Sequence, residues 1–190
     1  MRLTQTSLPG VVIVEPAVFR DERGWFCESW NEARFNTALA SLGLPAPRRY
    51  VPDNHSCSLR GVLRGLHYQL APHAQGKLVR VVRGAAWDVA VDIRHGSPTF
   101  GRWAAALLTA DNQRQLWIPE GHAHGFIALE DDTHFLYKTT DVYAKDAERS
   151  LRWDDPAIGI TWPLKAIGTP LVAPKDAAAP QLADADLPPP

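Results

Sequence analysis

Three stretches of this chain concentrate polar and ionisable residues beyond what packing a core requires. The first runs Arg60-Gly-Val-Leu-Arg64-Gly-Leu-His67-Tyr-Gln and resumes at Gln75-Gly-Lys77. The second is Trp117-Ile-Pro-Glu-Gly-His122-Ala-His124-Gly-Phe, and the third is Phe135-Leu-Tyr137-Lys-Thr-Thr-Asp141-Val-Tyr143. Histidine is the natural general base near neutral pH. A flanking cation, Lys77 or Arg64, would stabilise an oxyanion. Tyrosine can donate a proton where a dry site holds its hydroxyl beside a substrate. Pattern alone leans the other way for each residue. A lone histidine in a β protein is more often a hydrogen-bonded packing residue, and Tyr137 shares a strand face with Phe135, as a core tyrosine would. Tyr143 lies just beyond that strand, where a nucleotide base could stack or a surface tyrosine could simply sit.

Other chemistries find less support. Pro119-x-Gly121-x-x-His124 resembles the second conserved motif of cupins, in which the histidine often binds metal. Gln69 stands where the second histidine of the first motif would be, leaving His67 and His124 short of three protein ligands. His122 could join them only if its segment is extended. Cys27 has no visible base partner, and Ser56, Ser58 and Ser150 sit in no nucleophile motif. With no G-x-G-x-x-G and no Walker sequence, neither a nicotinamide nor an ATP mechanism is indicated, and no cofactor or metal is expected.

The elements that must hold these residues are mostly strands. Trp87, Val89, Val91 and Ile93 alternate with Asp88, Asp92 and Arg94, placing apolar and polar residues on opposite faces. Val11–Val14, Lys77–Arg83, Ala104–Leu108, Gln115–Ile118 and Thr133–Thr139 read as further strands, with turn residues such as Gly84 between them. In the first polar stretch Gly65 interrupts the alternation, so Arg64 and His67 have no predictable common face. One helix is expected after Ser29-x-x-Glu32, a capping-box pattern, with Phe35, Leu39 and Leu42 at helical spacing and Gly43 at its end. Trp87, Trp103 and Trp117 fall within strand-like runs and read as packing residues, whereas Trp25, where a turn meets a strand, could line a pocket. Many short strands and little helix point to a β-sandwich or barrel.

Size and composition agree. A chain of 190 residues, 45% hydrophobic and 22% charged, fits one soluble domain with a sizeable core. Its formal net charge of -1 shows no basic field for nucleic acid. No apolar run approaches membrane-spanning length, and the N-terminus lacks a signal-peptide h-region. Two cysteines in a chain this long read as reduced thiols, so a cytoplasmic protein is expected.

Taken together, the polar stretches resemble the dTDP-4-dehydrorhamnose 3,5-epimerase family. The resemblance is carried by Asp21-Glu-Arg-Gly, Asp53-Asn-His-Ser, Val62-Leu-Arg-Gly-Leu-His-Tyr-Gln and Gln75-Gly-Lys-Leu-Val-Arg. Asp88-Val-Ala-Val-Asp-Ile-Arg, Ser97-Pro-Thr-Phe-Gly, Leu116-Trp-Ile-Pro-Glu-Gly, Ala123-His-Gly-Phe and Leu136-Tyr-Lys continue it, in the family's order, from about residue 8 to residue 183. It implies an all-β, cupin-type double-stranded β-helix (jelly roll) with a few short peripheral helices. Residues 1–183 would form the single domain and 184–190 a flexible C-terminal tail. It further implies a metal-independent homodimer acting on a dTDP-linked 4-keto-6-deoxy sugar. By matching motif, His67 would be the general base, Asp176 the carboxylate that orients it, and Tyr137 the proton donor on the opposite ring face. Lys77 and Arg64 would lie at the sugar ketone. Arg23, Glu28, Asn54, His124, Glu148 and Lys175 fall at substrate-contacting positions, and Tyr143 at the position that stacks on thymine.

Two departures bear on affinity. Pro52 stands where the family usually has glutamine, and His122 replaces its common phenylalanine, placing an extra imidazole near the site. Three alternatives stay open: a 3-epimerase using the same base and acid, a catalytically silent sugar-nucleotide-binding cupin, and a metal-dependent cupin enzyme.

Overall fold

The computed structural model describes residues 1–188. The chain begins with strands β1 (Arg2–Gln5), β2 (Val12–Glu15), β3 (Val18–Asp21) and β4 (Gly24–Cys27), followed by helix α1 (Glu32–Ser41). Next come β5 (Asp53–Ser58), β6 (Val62–Gln69), β7 (Lys77–Arg83), β8 (Ala85–Asp92) and β9 (Trp103–Thr109). β10 (Gln115–Ile118), β11 (His122–Ala128), β12 (Thr133–Thr139) and β13 (Glu148–Ser150) complete the long strands. The remainder holds α2 (Leu164–Ile167), β14 (Leu171–Val172), α3 (Pro174–Ala177) and a 3-10 turn at Leu182–Asp184.

One sheet has the order β1-β2-β10-β7-β12-β5, and the facing sheet runs β13-β6-β11-β8-β9 with β14 added in parallel on β6. Apart from β1–β2 and β8–β9, neighbours in each sheet are not consecutive in the chain, as in the expected cupin-type jelly roll. Between the sheets, Val79, Val81, Leu116 and Phe135 meet Ala86, Ala90, Ala106 and Phe126. Small residues on β8 and β9 leave room inside this layer for polar side chains.

The alternation along β8 has an unexpected sense. Val89, Val91 and Ile93 point away from the interior and pack beneath the C-terminal region, against Leu151, Ile158 and Trp162. The opposite, polar face is also covered, since Asp88 and Asp92 are both fully buried. A buried carboxylate must be paired or hydrogen-bonded. Asp92 accepts from Arg94, Ser97 and Thr99 in the following turn, while Asp88 is held by His124.

α1 packs Phe35 and Leu39 against Val12, Val14 and Trp117 on the outer face of the first sheet. Its N-cap is Asn31 rather than Ser29: the Asn31 side chain accepts from the Arg34 amide at 3.1 Å, and Ser29 lies outside the helix. At the other end Gly43, with φ of 71°, forms a Schellman closure, its N–H donating to Ala40 O and that of Leu44 to Leu39 O. Trp117 is buried, and Trp87 and Trp103 pack partly covered under the C-terminal region. Trp25 is 52% exposed on the β3–β4 hairpin and is not among the residues lining the cleft that holds His67. The tail expected over 184–190 is docked as far as Leu187: Tyr68 Oη donates to Asp186 O at 2.7 Å, Arg149 pairs with the Asp186 carboxylate, and Leu187 joins the apolar layer. Pro189 and Pro190 lie outside the described residues.

The break at Gly65 decides where the polar residues of β6 point. Gly65 has φ of 117°, and the β6–β11 ladder shifts register between His124 and Phe126. A Cβ on Gly65 would lie 2.7 Å from both Gly125 Cα and His124 O. This irregularity lets Arg64 and His67, three residues apart, open onto the same cleft. Gly65→Ala is expected to cost about 1–3 kcal/mol of stability through backbone strain, read as a lower urea midpoint, and to reduce activity further by displacing His67.

Candidate active site

The cleft opens between the two sheets, with a volume of about 350 Å³, in the range of small-molecule sites. Arg64 and His67 reach it from β6, His124 from β11, Lys77 from β7 and Tyr137 from β12. The segment after β14 adds Lys175 and Asp176 from the side. Phe126 and Phe135 stack at 4.0 Å across the two sheets and wall off one end.

His67 is partly exposed, and its Nε2 lies 2.7 Å from Asp176 Oδ1. The second carboxylate oxygen, Oδ2, accepts from the Gly65 amide at 3.1 Å. Burial pushes the Asp176 carboxyl up, but the His67 bond and charge, the Gly65 amide and Lys175 together outweigh it and hold the group below the ordinary carboxylate range. An ionised Asp176 accepts the Nε2 proton, which leaves His67 Nδ1 as the nitrogen with a free lone pair.

Opposite stands Tyr137, half-buried, its phenol pushed up by burial and only partly offset by Arg64. It therefore keeps its proton through the neutral range, as a proton donor must. His67 and Tyr137 belong to different sheets, and facing sheets pack roughly 10 Å apart. A sugar ring lying between them would meet one residue on each face.

The cations are placed differently. Arg64 donates to Ser58 Oγ and to Cys57 O, which fixes its guanidinium at the cleft wall. Lys77 is only 8% exposed and donates to His67 O at 3.2 Å. Burial pulls its ammonium down to about 8, against the pull of Asp88 and Glu148. Below that pH the ammonium is charged, and as pH rises through it the charge is lost. If that charge stabilises an oxyanion, kcat/KM falls above about pH 8 by roughly tenfold per unit. Lys77→Arg, charged at any accessible pH, should remove this alkaline limb while lowering the plateau; a pH–rate profile of both proteins checks it.

His124 pairs with His67 in the ladder and lies 2.9 Å from Asp88 Oδ2. Burial pushes Asp88 up and His124 down, each towards its neutral form. Alternation along the strand places Asp88 on a polar face and assigns it no role. The available signal was an acid in the middle of an apolar strand, where aspartate is disfavoured.

The remaining expected positions divide into near and far. Tyr143 Oη donates to Glu148 Oε2 and Lys175 Nζ to Glu148 Oε1, forming a cluster at the cleft rim, with the Tyr143 ring 64% exposed. Asn54 lies on β5 directly opposite Tyr137 in the ladder, next to the cleft but not among the residues that line it. Arg23 and Glu28 are elsewhere: Arg23 pairs with Asp21 and Glu28 with Arg34, outside the cleft lining. His122 also departs from expectation. It is registered on Asp92, its Nδ1 lies 3.2 Å from Pro119 O, and it does not line the cleft. Among the described residues no three His, Cys, Asp or Glu side chains converge as a metal-ligand set.

Comparison with known proteins gives this arrangement a context. The profile of the dTDP-4-dehydrorhamnose 3,5-epimerase family matches residues 5–184. The dTDP-4-dehydrorhamnose 3,5-epimerase of Shigella flexneri is 52% identical over 186 residues, covering 98% of each chain. The crystal structure of dTDP-6-deoxy-D-glucose-3,5-epimerase from Legionella pneumophila Philadelphia 1, in complex with dTDP-4-keto-L-rhamnose, is similar with a TM-score of 0.90. It is 45% identical and covers 99% of this chain and 97% of its own. ChmJ, a 3'-monoepimerase from Streptomyces bikiniensis solved in complex with dTDP-quinovose, is similar at 35% identity and a TM-score of 0.86, with 100% and 93% coverage.

Proposed function

The chain belongs to the dTDP-4-dehydrorhamnose 3,5-epimerase family, and on that premise we propose that His67 and Tyr137 move the protons of its reaction. The enzyme is an isomerase of dTDP-L-rhamnose biosynthesis. It converts dTDP-4-dehydro-6-deoxy-D-glucose to dTDP-4-dehydro-L-rhamnose by epimerisation at C3 and C5. The C4 ketone acidifies the hydrogens on both neighbouring carbons. His67 Nδ1 removes one, and the electron pair moves onto the C4 oxygen as an enolate. Lys77 and Arg64 stabilise that oxygen, an effect worth on the order of a hundredfold or more in rate for one donor. Tyr137 then protonates the same carbon from the other face, which inverts it. Return of a proton to Tyr137 and release of one from His67 restores the site for the second carbon.

Asp176 supports this cycle by holding the His67 tautomer and favouring the imidazolium formed on proton abstraction. His124, kept in place by Asp88, and Asn54 contact the sugar. Glu148, Lys175 and the Tyr143 ring take the nucleotide at the rim. The cleft volume suits a hexose, leaving the nucleotide outside it.

Arg23 and Glu28 reach substrate only if a second copy supplies them. Their hairpin, β3–β4, pairs with no other strand and exposes Phe19 and Phe26 by about two thirds along with Trp25. A two-stranded hairpin is marginal alone in water. A homodimer in which this hairpin docks beside the partner's cleft accounts for both features. Sedimentation should give a dimer, and Phe26→Glu a monomer with a raised KM; a monomeric, fully active wild type would remove the dimer from this reading. No helix among the described residues is long and apolar enough to cross a membrane. Two free thiols fit a reducing, cytoplasmic setting.

The observation that carries the catalytic reading is His67 on one sheet, paired with Asp176 of α3, facing Tyr137 on the other sheet. Incubation with the keto sugar in deuterium oxide tests the reaction. Deuterium at C3 and C5 of the product is expected. Label at C3 alone would make the chain a 3-epimerase, the activity named for its 35% identical relative, and no label at either would overturn the reading.

A further inference from the structure

Asp176 is carried by a strap, residues 171–187, that has no sheet of its own. Upstream it is tied by the two-residue parallel pairing of β14 with β6. Downstream it turns back under the strand ends, where the Arg152 amide donates to Pro180 O at 2.8 Å. Beside that contact lies Asp155, 2% exposed, in the loop after β13. Its Oδ1 accepts from the Ala157 amide at 2.8 Å, a local turn contact. Its Oδ2 accepts from the Leu182 amide at 2.6 Å, across 27 residues. Hydrogen bonds to an ionised acceptor are roughly twice as strong as neutral ones. A carboxylate removed from water with two backbone amides as its hydrogen-bond partners is a firm anchor, and one of the two belongs to the strap.

We propose that Asp155 is a positioning residue for catalysis, its grip on the Leu182 amide holding the strap so that Asp176 stays seated on His67 and Gly65. The inference rests on the reading of His67 and Asp176 as base and orienting carboxylate. Leu182 follows Asp176 by six residues, and the helical turn of α3 and the Pro180 contact lie between them. Release at Leu182 loosens the strap between the Pro180 contact and the ties of Asp186 to Tyr68 and Arg149, and the Asp176 carboxylate shifts with it. A displacement near 1 Å in such a pair costs on the order of a hundredfold in rate.

Asp155→Asn separates the two contacts. Asparagine keeps its carbonyl for the local Ala157 turn, a role it fills well. Its NH2 group then faces the Leu182 N–H, donor against donor. Leu182→Pro breaks the same tie from the other side by deleting the N–H. The backbone accepts proline there, because Gln181 is extended (ψ 162°) and Leu182 is the first residue of its 3-10 turn, while the loss of the buried leucine side chain beside Ile158 and Trp162 is registered separately as a lower Tm. Each variant is expected to lower kcat about ten- to a hundredfold with little change in KM. Each should also shift the acid limb of the kcat/KM profile in the direction produced by Asp176→Asn, by a smaller amount. The double variant should lose no more kcat than the worse single one, since both remove one tie.

Thermal unfolding of each variant distinguishes mere destabilisation. A lowered Tm with wild-type kcat and an unmoved acid limb in both folded variants overturns the proposal, as does a double variant whose losses multiply. If one variant does not fold, the other carries the same two readouts. A wild-type protein with no epimerase turnover would instead defeat the functional reading beneath it.

Discussion

His67→Asn is expected to lower product formation to about a thousandth of the wild-type rate, within the range for loss of a positioned general base. The side chain is chosen to keep the site's shape: asparagine can still donate towards Asp176 and fills part of the ring's volume, but it has no basic nitrogen. The loss should fall on kcat, because Tyr143, Glu148 and Lys175, proposed to take the nucleotide, are held by hydrogen bonds to one another that do not involve the His67 side chain. It should also extend to hydrogen exchange, since neither C3 nor C5 can be deprotonated. Steady-state assay and solvent-deuterium incorporation report the two effects independently. A variant with KM raised and kcat unchanged would place His67 in binding and not in proton transfer.

Tyr137→Phe is expected to reduce inversion about a hundred- to a thousandfold, with binding almost unchanged because only a hydroxyl is removed from a half-buried ring. The packing of that ring beside Phe135 is preserved, so stability should shift by less than about 1 kcal/mol. The defect differs in kind from that of His67→Asn. The base still works, the enolate still forms against Lys77 and Arg64, and the only proton on offer comes back from His67 on the face it left. Exchange without inversion is the signature of an enzyme that has lost its acid alone.

Much of this was readable from residue types and spacing, and what was not has a physical reason. Strand positions such as Lys77–Arg83 and Thr133–Thr139 follow from β-branched runs closed by turn residues, and the structure has strands there. Strand count pointed to a β-sandwich or barrel, and the family resemblance alone made it a jelly roll. Local pattern could not tell that the polar face of β8 points inward, because that depends on Leu151, Ile158 and Trp162 returning to cover the other face. The helix cap was displaced by two residues because Asn31 supplies a side-chain oxygen as good as that of Ser29 and lies nearer the first turn.

The site shows the same division. Gly65 announced an irregularity, but its direction depends on the approach of Gly125, about 60 residues away in a neighbouring strand. Asp176 sits in a turn-rich segment with no periodicity, and the resemblance alone singled it out; the structure places it 2.7 Å from His67. Asp88 and Asp155 were missed. Both are buried acids whose partners, His124 and the Leu182 amide, are joined to them by tertiary structure only. His122 was expected near the site because it is two residues from His124, yet two residues along a strand is one full pleat, and it sits beyond the cleft.

The claim that a base and an acid address the sugar from opposite sheets is tested most directly by following Tyr137→Phe in deuterium oxide. Proton NMR of the keto sugar would report label and configuration at C3 and C5 together. The expected result is loss of the C3 and C5 proton signals at a rate well above that of His67→Asn, with the D-gluco configuration retained. Inversion at the wild-type rate, or exchange no faster than in His67→Asn, would contradict it.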